Sequence, residues 1–335
     1  MAGVAQLVRA LDCGSRGRRF NSAHSPHSLI NASNRFTFLR QALGEIGRNI
    51  EMATSSVVNL DQQQFWNEVK GDFWVTLKTR IDALLLPFGM AALKTLNARP
   101  SERVLEIGCG TGATSTKLAE LVGSRGEVLA VDLSKPMLDK AKASRPEKGA
   151  NVLTYREADA EVYPFAGNHY DAVFSRFGVM FFDDSIAAFR NIRLAVRPKG
   201  RLAYVCWASR KDNPWIRVPT GASRPFLEIP AAPPQDSPGQ FAMEREERIT
   251  EILLESGWSD ITIKKFEIDH CMGATLNDAA SFICQMGPMS EPFAGATSKA
   301  KAECIAAVEG ALQPFEGKDG VRMKFSTWVV GANNV

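Results

Sequence analysis

Glu106-Ile107-Gly108-Cys109-Gly110-Thr111-Gly112-Ala113, or EIGCGTGA, decides how the rest of this chain folds. It completes the apolar run RVLEIG (103–108), which ends in glycine as a buried parallel strand does. It leads into TGATSTKLAELV (111–122), where Leu118, Leu121 and Val122 fall on one helix side. A strand that passes to a helix through alternating glycines lets the backbone approach a ligand closely and aims the free N–H groups of the helix start at it. Alone, the loop is also compatible with a tight turn that binds nothing.

The flanking rhythm supplies the fold. GEVLAVD (126–132) is a second strand, and Ser134 caps KPMLDKAKAS with Pro136 in its first turn. NVLTYRE (151–157), YDAVFS (170–175) and GRLAYVCW (200–207) are further strands, with the helix DDSIAAFRNIRLAV (183–196) between the last two. MEREERITEILLESG (243–257) is a helix, DITIKKFEI (260–268) alternates like a half-wet strand, helical stretches follow around 276–286 and 298–313, and STWVVGA (326–332) closes as a strand. Strands alternating with helices predict an α/β fold: a doubly wound, mostly parallel seven-stranded Rossmann-like sheet with helices on both faces and an added lid region. Residues 208–240 carry seven prolines and little periodicity, which predicts that lid or loop. IDALLLPFGMAAL (81–93) is interrupted by Pro87 and Gly89 and predicts a buried helix and turn.

Composition excludes several classes. With 45% hydrophobic and 23% charged residues, the 335-residue chain is ordinary for a globular protein, and no apolar run nears the length of a membrane helix. The net charge of +3 is uneven: residues 1–51 hold seven Arg against Asp12, Glu45 and Glu51, and the rest of the chain is −1. The body therefore has no basic stripe for nucleic acid. Cys13, Cys109, Cys206, Cys271, Cys284 and Cys304 fit neither a zinc site nor a disulfide framework, so a reduced, cytosolic protein without a bound metal is expected.

Two ligands suit the loop. Read as G-x-G-x-x-A it cradles a dinucleotide, and the chain is an oxidoreductase; read as E-x-G-x-G-x-G it holds S-adenosylmethionine, and the chain is a methyltransferase. Asp132, at the end of the second strand, can accept from ribose hydroxyls in either case. Asp159-Ala160 follows the third strand, where an acid can accept from an adenine amino group. Glu106 occupies a position that dinucleotide loops usually fill with an apolar residue, and Gly112 completes a strict glycine alternation.

VLEIGCGTGATSTKLAE, VLAVDLSKPMLDKA, EADAEVYPFAGNHYDAVFSRFGVMFFDD and RPKGRLAYVCW together resemble the successive motifs of the class I S-adenosylmethionine-dependent methyltransferases. The resemblance is greatest to the small-molecule branch that includes the ubiquinone and menaquinone C-methyltransferases. It covers residues 65–207 well and 241–268 loosely. It implies that Gly108, Gly110 and Gly112 line the methionine and ribose portions, that Glu106 orders the loop and the methionine amino group, and that Asp132 holds the ribose. It also implies that Leu133 and Met137 flank the adenine, Asp159 and Ala160 read its edge, and Ser175 and Arg176 border the methionine.

The expected reaction is methyl transfer to a small molecule. Phe177, Met180, Phe181, Phe182, Trp207 and Trp215 cluster near the predicted mouth and suggest an apolar or aromatic acceptor. A phenol, amine or enol needs a base. His270 follows strand 260–268 and is a candidate; His169 precedes a strand and belongs to the opposite end. DNA is disfavoured, because SRFGVMFF stands where amino-methylating DNA enzymes carry [D/N]-P-P-[Y/F]. An RNA-modifying methyltransferase and a cofactor-binding protein without transfer activity are the other readings.

The expected organisation is an extension at 1–51, non-native or disordered; N-terminal helices at 52–100 covering the cofactor; the cofactor-binding core at 101–207; the lid at 208–240; and at 241–335 the last part of the sheet with inserted helices. AQLVRA (5–10) and RFNS (19–22) back-translate to sequences resembling the two arms of a transfer-RNA gene. Translation is therefore expected to begin at Met52, although the Arg-rich, acid-poor segment also partly matches an organellar transit peptide.

Overall fold

The computed structural model describes residues 57–147, 149 and 151–335. The expectations for residues 1–51 and for a start at Met52 lie outside them. No described helix is long and apolar enough to cross a membrane.

The described chain opens with α1 (Leu60–Gln64), a turn of π-helix (Phe65–Val69), α2 (Gly71–Thr76) and α3 (Lys78–Leu96). Then come β1 (Arg103–Ile107), α4 (Ala113–Val122), β2 (Glu127–Asp132), α5 (Lys135–Ala143), β3 (Leu153–Glu157), β4 (Tyr170–Arg176), α6 (Ser185–Ala195) and β5 (Val196–Trp207). After Trp207 the chain forms α7 (Pro214–Ser223), α8 (Glu246–Glu255), β6 (Ser259–Gly273), α9 (Leu276–Ile283), α10 (Ser290–Gly295), α11 (Ser298–Leu312), the two-residue β7 (Glu316–Gly317) and β8 (Gly320–Asn333).

The strands lie in the order β3-β2-β1-β4-β5-β8-β6, with β7 paired to β8 outside that path. β1 pairs in parallel with β2 and β4, with Ile107 opposite both Val131 and Ser175. β8 is antiparallel to both β5 and β6, so β6 runs in the direction of the first five strands. The strand order reverses at β1, and an open sheet binds its ligand in the crevice at such a switch, beyond the carboxyl ends of the strands. The glycine loop leaves β1 there. The predicted seven-stranded, doubly wound sheet is what the chain forms.

Two expectations need correction. Pro87 and Gly89 do not break the apolar stretch: α3 continues through them. An interior proline costs a helix roughly 3 kcal/mol, and burial of Ile81, Leu84, Leu85, Phe88, Ala92, Leu93 and Leu96 offsets it. Phe88 is fully buried and meets the rings of Phe177, Trp207, Phe266 and Phe325 at centroid distances of 5.7–6.0 Å. Gly89 is where the helix lets Arg176 lie against it, since a Cβ there would stand 3.0 Å from Arg176 Cδ. The second correction concerns residues 208–240, which contain a helix. α7 starts on Pro214, tolerates Pro219 and buries Trp215, Ile216, Pro219 and Ser223.

Candidate functional site

The β1 loop has a backbone that suits glycine. Gly108, Gly110 and Gly112 have φ of 66°, 54° and 83°, a region in which other residues are strained. At Gly108 a Cβ would also stand 2.6 Å from Gly178 Cα, because the loops after β1 and β4 touch there. The N–H groups of Gly108 and Cys109 bond to Val131 O at 2.9 and 3.1 Å. The N–H of Gly110 donates to Asp132 Oδ2 at 2.7 Å, and that of Ser134 donates to Asp132 Oδ1 at 2.8 Å. Asp132 thus ties the glycine loop to the start of α5. Burial raises its pKa, and those backbone donors oppose the rise.

Glu106 lies beneath the loop, fully buried. Thr114 Oγ1 donates to its Oε1 at 2.5 Å, whereas Oε2 has no partner. Burial lifts its pKa to about 7, against the pull of the Ser115 and Thr114 hydroxyls and the Arg176 charge. Arg176 leaves the end of β4 with its side chain 7% exposed; Nη2 donates to Asp82 Oδ1 at 3.1 Å and Nη1 has no partner. Asp82, on α3, also takes Lys78 Nζ at 2.5 Å. Glu106 Oε2, the Ser115 hydroxyl and Arg176 Nη1 are thus all buried without a hydrogen-bond partner within normal distance, which buried polar atoms rarely are.

The loop opens into a cavity of about 1310 Å³, more than the roughly 300–1,000 Å³ of a single small-ligand pocket. Gly108, Gly110, Asp132, Leu133, Met137, Asp159, Ala160 and Arg176 line it, as do Phe177, Met180, Phe181, Phe182, Trp207 and Trp215. Glu106, Gly112 and Ser175 stand behind the wall. Ser175 bonds to Ile107 O at 2.8 Å and accepts from Gly178 N at 3.2 Å, which fastens β4 to β1. Gly112 packs so closely on the Tyr155 hydroxyl that no Cβ fits.

Asp159 does more than face a ligand. Its Oδ2 accepts the N–H groups of Val58 and Asn59, each at 3.1 Å, and Oδ1 accepts Glu161 N at 3.0 Å. It therefore anchors the N-terminal cover. Asn67, in the π-helical turn, continues that anchorage by donating to Leu133 O at 2.9 Å and accepting from Lys135 N at 2.9 Å.

The aromatic part of the cavity is built by stacking. Phe177 and Trp207 lie 4.4 Å apart at 20°, and Trp215 and Phe325 lie 5.1 Å apart at 12°. Phe177 holds φ at 62°, an uncommon backbone for a bulky residue and a mark of a constrained site. Trp66 meets Phe181 edge-on at 5.2 Å.

His270 does not line this cavity. Its ring stands 6.1 Å from that of Phe325, and its Nδ1 accepts from Cys271 N at 3.0 Å. His169, at the start of β4, lies 3.3 Å from Glu127. Cys206 is buried among the sheet side chains and Cys271 is half-buried; Cys284 and Cys304 meet at 3.8 Å between sulfurs.

Lys70 has no counterpart in the sequence reading. It lines the cavity with its side chain 11% exposed, between Ser290 and Glu291. Burial lowers its pKa, opposed by Glu291. The signal was a lysine set among Phe65, Trp66, Phe73 and Trp74, with no periodicity to distinguish it from a solvated charge. Asp82 was equally hidden, since nothing local shows that a helix of about five turns will bring it to Arg176.

Comparison with known proteins agrees with this geometry. Residues 104–200 match the family model described as a methyltransferase domain. The ubiquinone/menaquinone biosynthesis C-methyltransferase UbiE of Shewanella frigidimarina is 35% identical over 117 residues, which is 35% of this chain and 47% of that protein. The chain thus spans about half the length of the curated relatives it matches. Among solved structures, the YcgJ protein of Bacillus subtilis aligns with 72% of this chain and 95% of its own at 18% identity and a TM-score of 0.48. An S-adenosylmethionine-dependent methyltransferase from Aquifex aeolicus aligns with 56% and 87% at 19% identity and a TM-score of 0.42.

Proposed function

We propose that this chain, which belongs to the class I S-adenosylmethionine-dependent methyltransferase family through residues 104–200, transfers a methyl group to a small apolar or aromatic molecule. One observation carries the reading: the glycine loop, Asp132 and Arg176 line one chamber with an aromatic wall, and Glu106 lies buried directly behind the loop.

The residues present fit the cofactor. The Glu106 carboxylate, buried behind the loop, would set a negative field for a methionine ammonium, and Arg176, which lines the cavity with Nη1 free, suits the methionine carboxylate. Asp132 would hold the ribose hydroxyls, with Leu133 and Met137 against the adenine and Asp159 and Ala160 at its edge. Bound S-adenosylmethionine supplies a methyl group already activated by its sulfonium. The task left to the chain is alignment and exclusion of water, which is where proximity is most effective.

Phe177, Trp207 and Trp215 would hold the acceptor by stacking. Lys70 lines the cavity beside Glu291, where its ammonium would stabilise an oxyanion developing on a phenol or enol acceptor. The segment 229–242 lines the cavity and would act as its cover, held at one end by the bond from Gly239 N to Met180 O at 2.9 Å. Incubation with radiolabelled S-adenosylmethionine and a fractionated metabolite extract tests the reading. A labelled small product that disappears with Gly110→Val supports it; label recovered only in RNA would replace the small acceptor with a nucleic acid.

A further inference from the structure

We propose that the acceptor carries an anionic head, a carboxylate or a phosphate, on its apolar body, and that Arg217 on α7 and Arg224 at its C-cap receive that head. This rests on the methyltransferase reading above and narrows its substrate class.

Arg217, Thr220, Gly221 and Arg224 follow one another at i, i+3, i+4 and i+7, and all four line the cavity. The other side of α7 is fixed by burial of Ile216, Pro219 and Ser223, so this face is set toward the cavity. The two guanidinium groups stem from positions about 10 Å apart along the helix axis. Between them Gly221 leaves open space, since a Cβ there would meet nothing within 4 Å. Thr220 also lines the cavity, but its Oγ1 is turned away from solvent.

The charges differ in how they are matched. Of the other cavity cations, Arg176 is paired with Asp82 and Lys70 with Glu291, Arg210 lies over the Phe241 ring at 4.7 Å, and Lys211, like Arg210, has no ion pair among the described residues. Asp236, an acid of the lid, is taken by Arg245 at 2.6 Å. Among the described residues, Arg217 and Arg224 have no carboxylate within ion-pair distance. A single exposed arginine is commonplace; two on one side of α7 and its C-cap, flanking an open notch in the wall of a ligand cavity, form a receptor for a small anion. Guanidinium forks match carboxylate and phosphate oxygens in pairs. The aromatic wall then takes the body of the same molecule.

The test compares two dyes with the same rings on the full chain. 8-Anilinonaphthalene-1-sulfonate carries an anionic head, and N-phenyl-1-naphthylamine lacks one. The proposal predicts tighter binding of the sulfonate, reduced about tenfold in Arg217→Gln/Arg224→Gln, with binding of the neutral dye and of S-adenosylhomocysteine unchanged. Dodecanoate or dodecyl phosphate should displace the sulfonate dye better than dodecanol, and whichever of the two is stronger identifies the head. Equal binding of the two dyes, an unaffected double variant, or equal displacement by dodecanol overturns the proposal. S-adenosylhomocysteine titration separates the two levels: retained cofactor binding with no dye discrimination removes only the anion site, and the reverse result removes only the methyltransferase reading.

Discussion

Asp132 Oδ2 accepts the N–H of Gly110 at 2.7 Å, so the acid that ends β2 and the central glycine of the β1 loop form one unit. The same carboxylate is expected to hold the cofactor ribose. Asp132→Ala should therefore loosen the loop and remove the ribose partner together, weakening S-adenosylhomocysteine binding by about 1–3 kcal/mol, as loss of a hydrogen bond to a charged group does. Asp132→Asn keeps one acceptor oxygen and should lose less. Equal affinity for the parent and the Ala variant in calorimetry would place the ribose elsewhere.

Glu106 should make binding depend on pH. Its carboxyl titrates near 7 in the folded chain because burial disfavours the charge. A cofactor ammonium beside it favours the carboxylate, so binding below pH 7 must release a proton. Affinity should then fall as pH drops below about 7, approaching tenfold per pH unit. Glu106→Gln should flatten the profile. Stability runs in a direction set by the same shift. Below about 4.5, where the unfolded group is also protonated, the raised pKa contributes fully; the contribution is lost as pH rises through about 7, on the order of 3 kcal/mol. Denaturant titrations at pH 5 and 8 on the parent and the Gln variant measure it.

Asp159 should reveal its anchoring role in hydrogen exchange. Because Oδ2 receives the amides of Val58 and Asn59, Asp159→Ala should speed exchange at those two amides by about tenfold, corresponding to about 1.4 kcal/mol, and should weaken cofactor binding as well. Unchanged exchange at both amides would separate Asp159 from the cover.

The parts of this architecture that the sequence displayed are those with local causes. β1 to β5 show as short apolar runs because both faces of a parallel sheet are covered, and Ser134 announces α5 because a hydroxyl caps its first turn. α7 was hidden by Pro214, Pro219 and Gly221, which read as loop; a first-turn proline is harmless, and the apolar side of the helix finds its partners far along the chain. Lys70 and Asp82 gain their partners only when distant elements meet, so no local spacing marks them, and the spacing of Arg217 and Arg224 was hidden because α7 itself read as loop. The aromatic cluster around Phe177 and Trp207 was legible as a group, but not that Phe88, on a helix running through a proline, would meet both rings.

Phe88 shows how the core supports the site. It is fully buried and touches Phe177 and Trp207, which line the cavity. Phe88→Ala should cost about 3–5 kcal/mol of stability, read as a lower denaturant midpoint, and should free Phe177 to leave its left-handed backbone. A midpoint within 1 kcal/mol of the parent, by the same scale, would show that the surrounding rings close the gap.

The identity of the cofactor at the glycine loop decides between methyl transfer and hydride transfer. Titration calorimetry of the full chain with S-adenosylhomocysteine and, separately, with NADH decides it most directly, with Gly110→Val as the control. Gly110 has φ of 54°, and a branched side chain there would be strained and would meet Met137 across the loop. The account predicts one S-adenosylhomocysteine site per chain, lost in the valine variant, and no NADH binding. Saturable NADH binding with no heat from S-adenosylhomocysteine would contradict it.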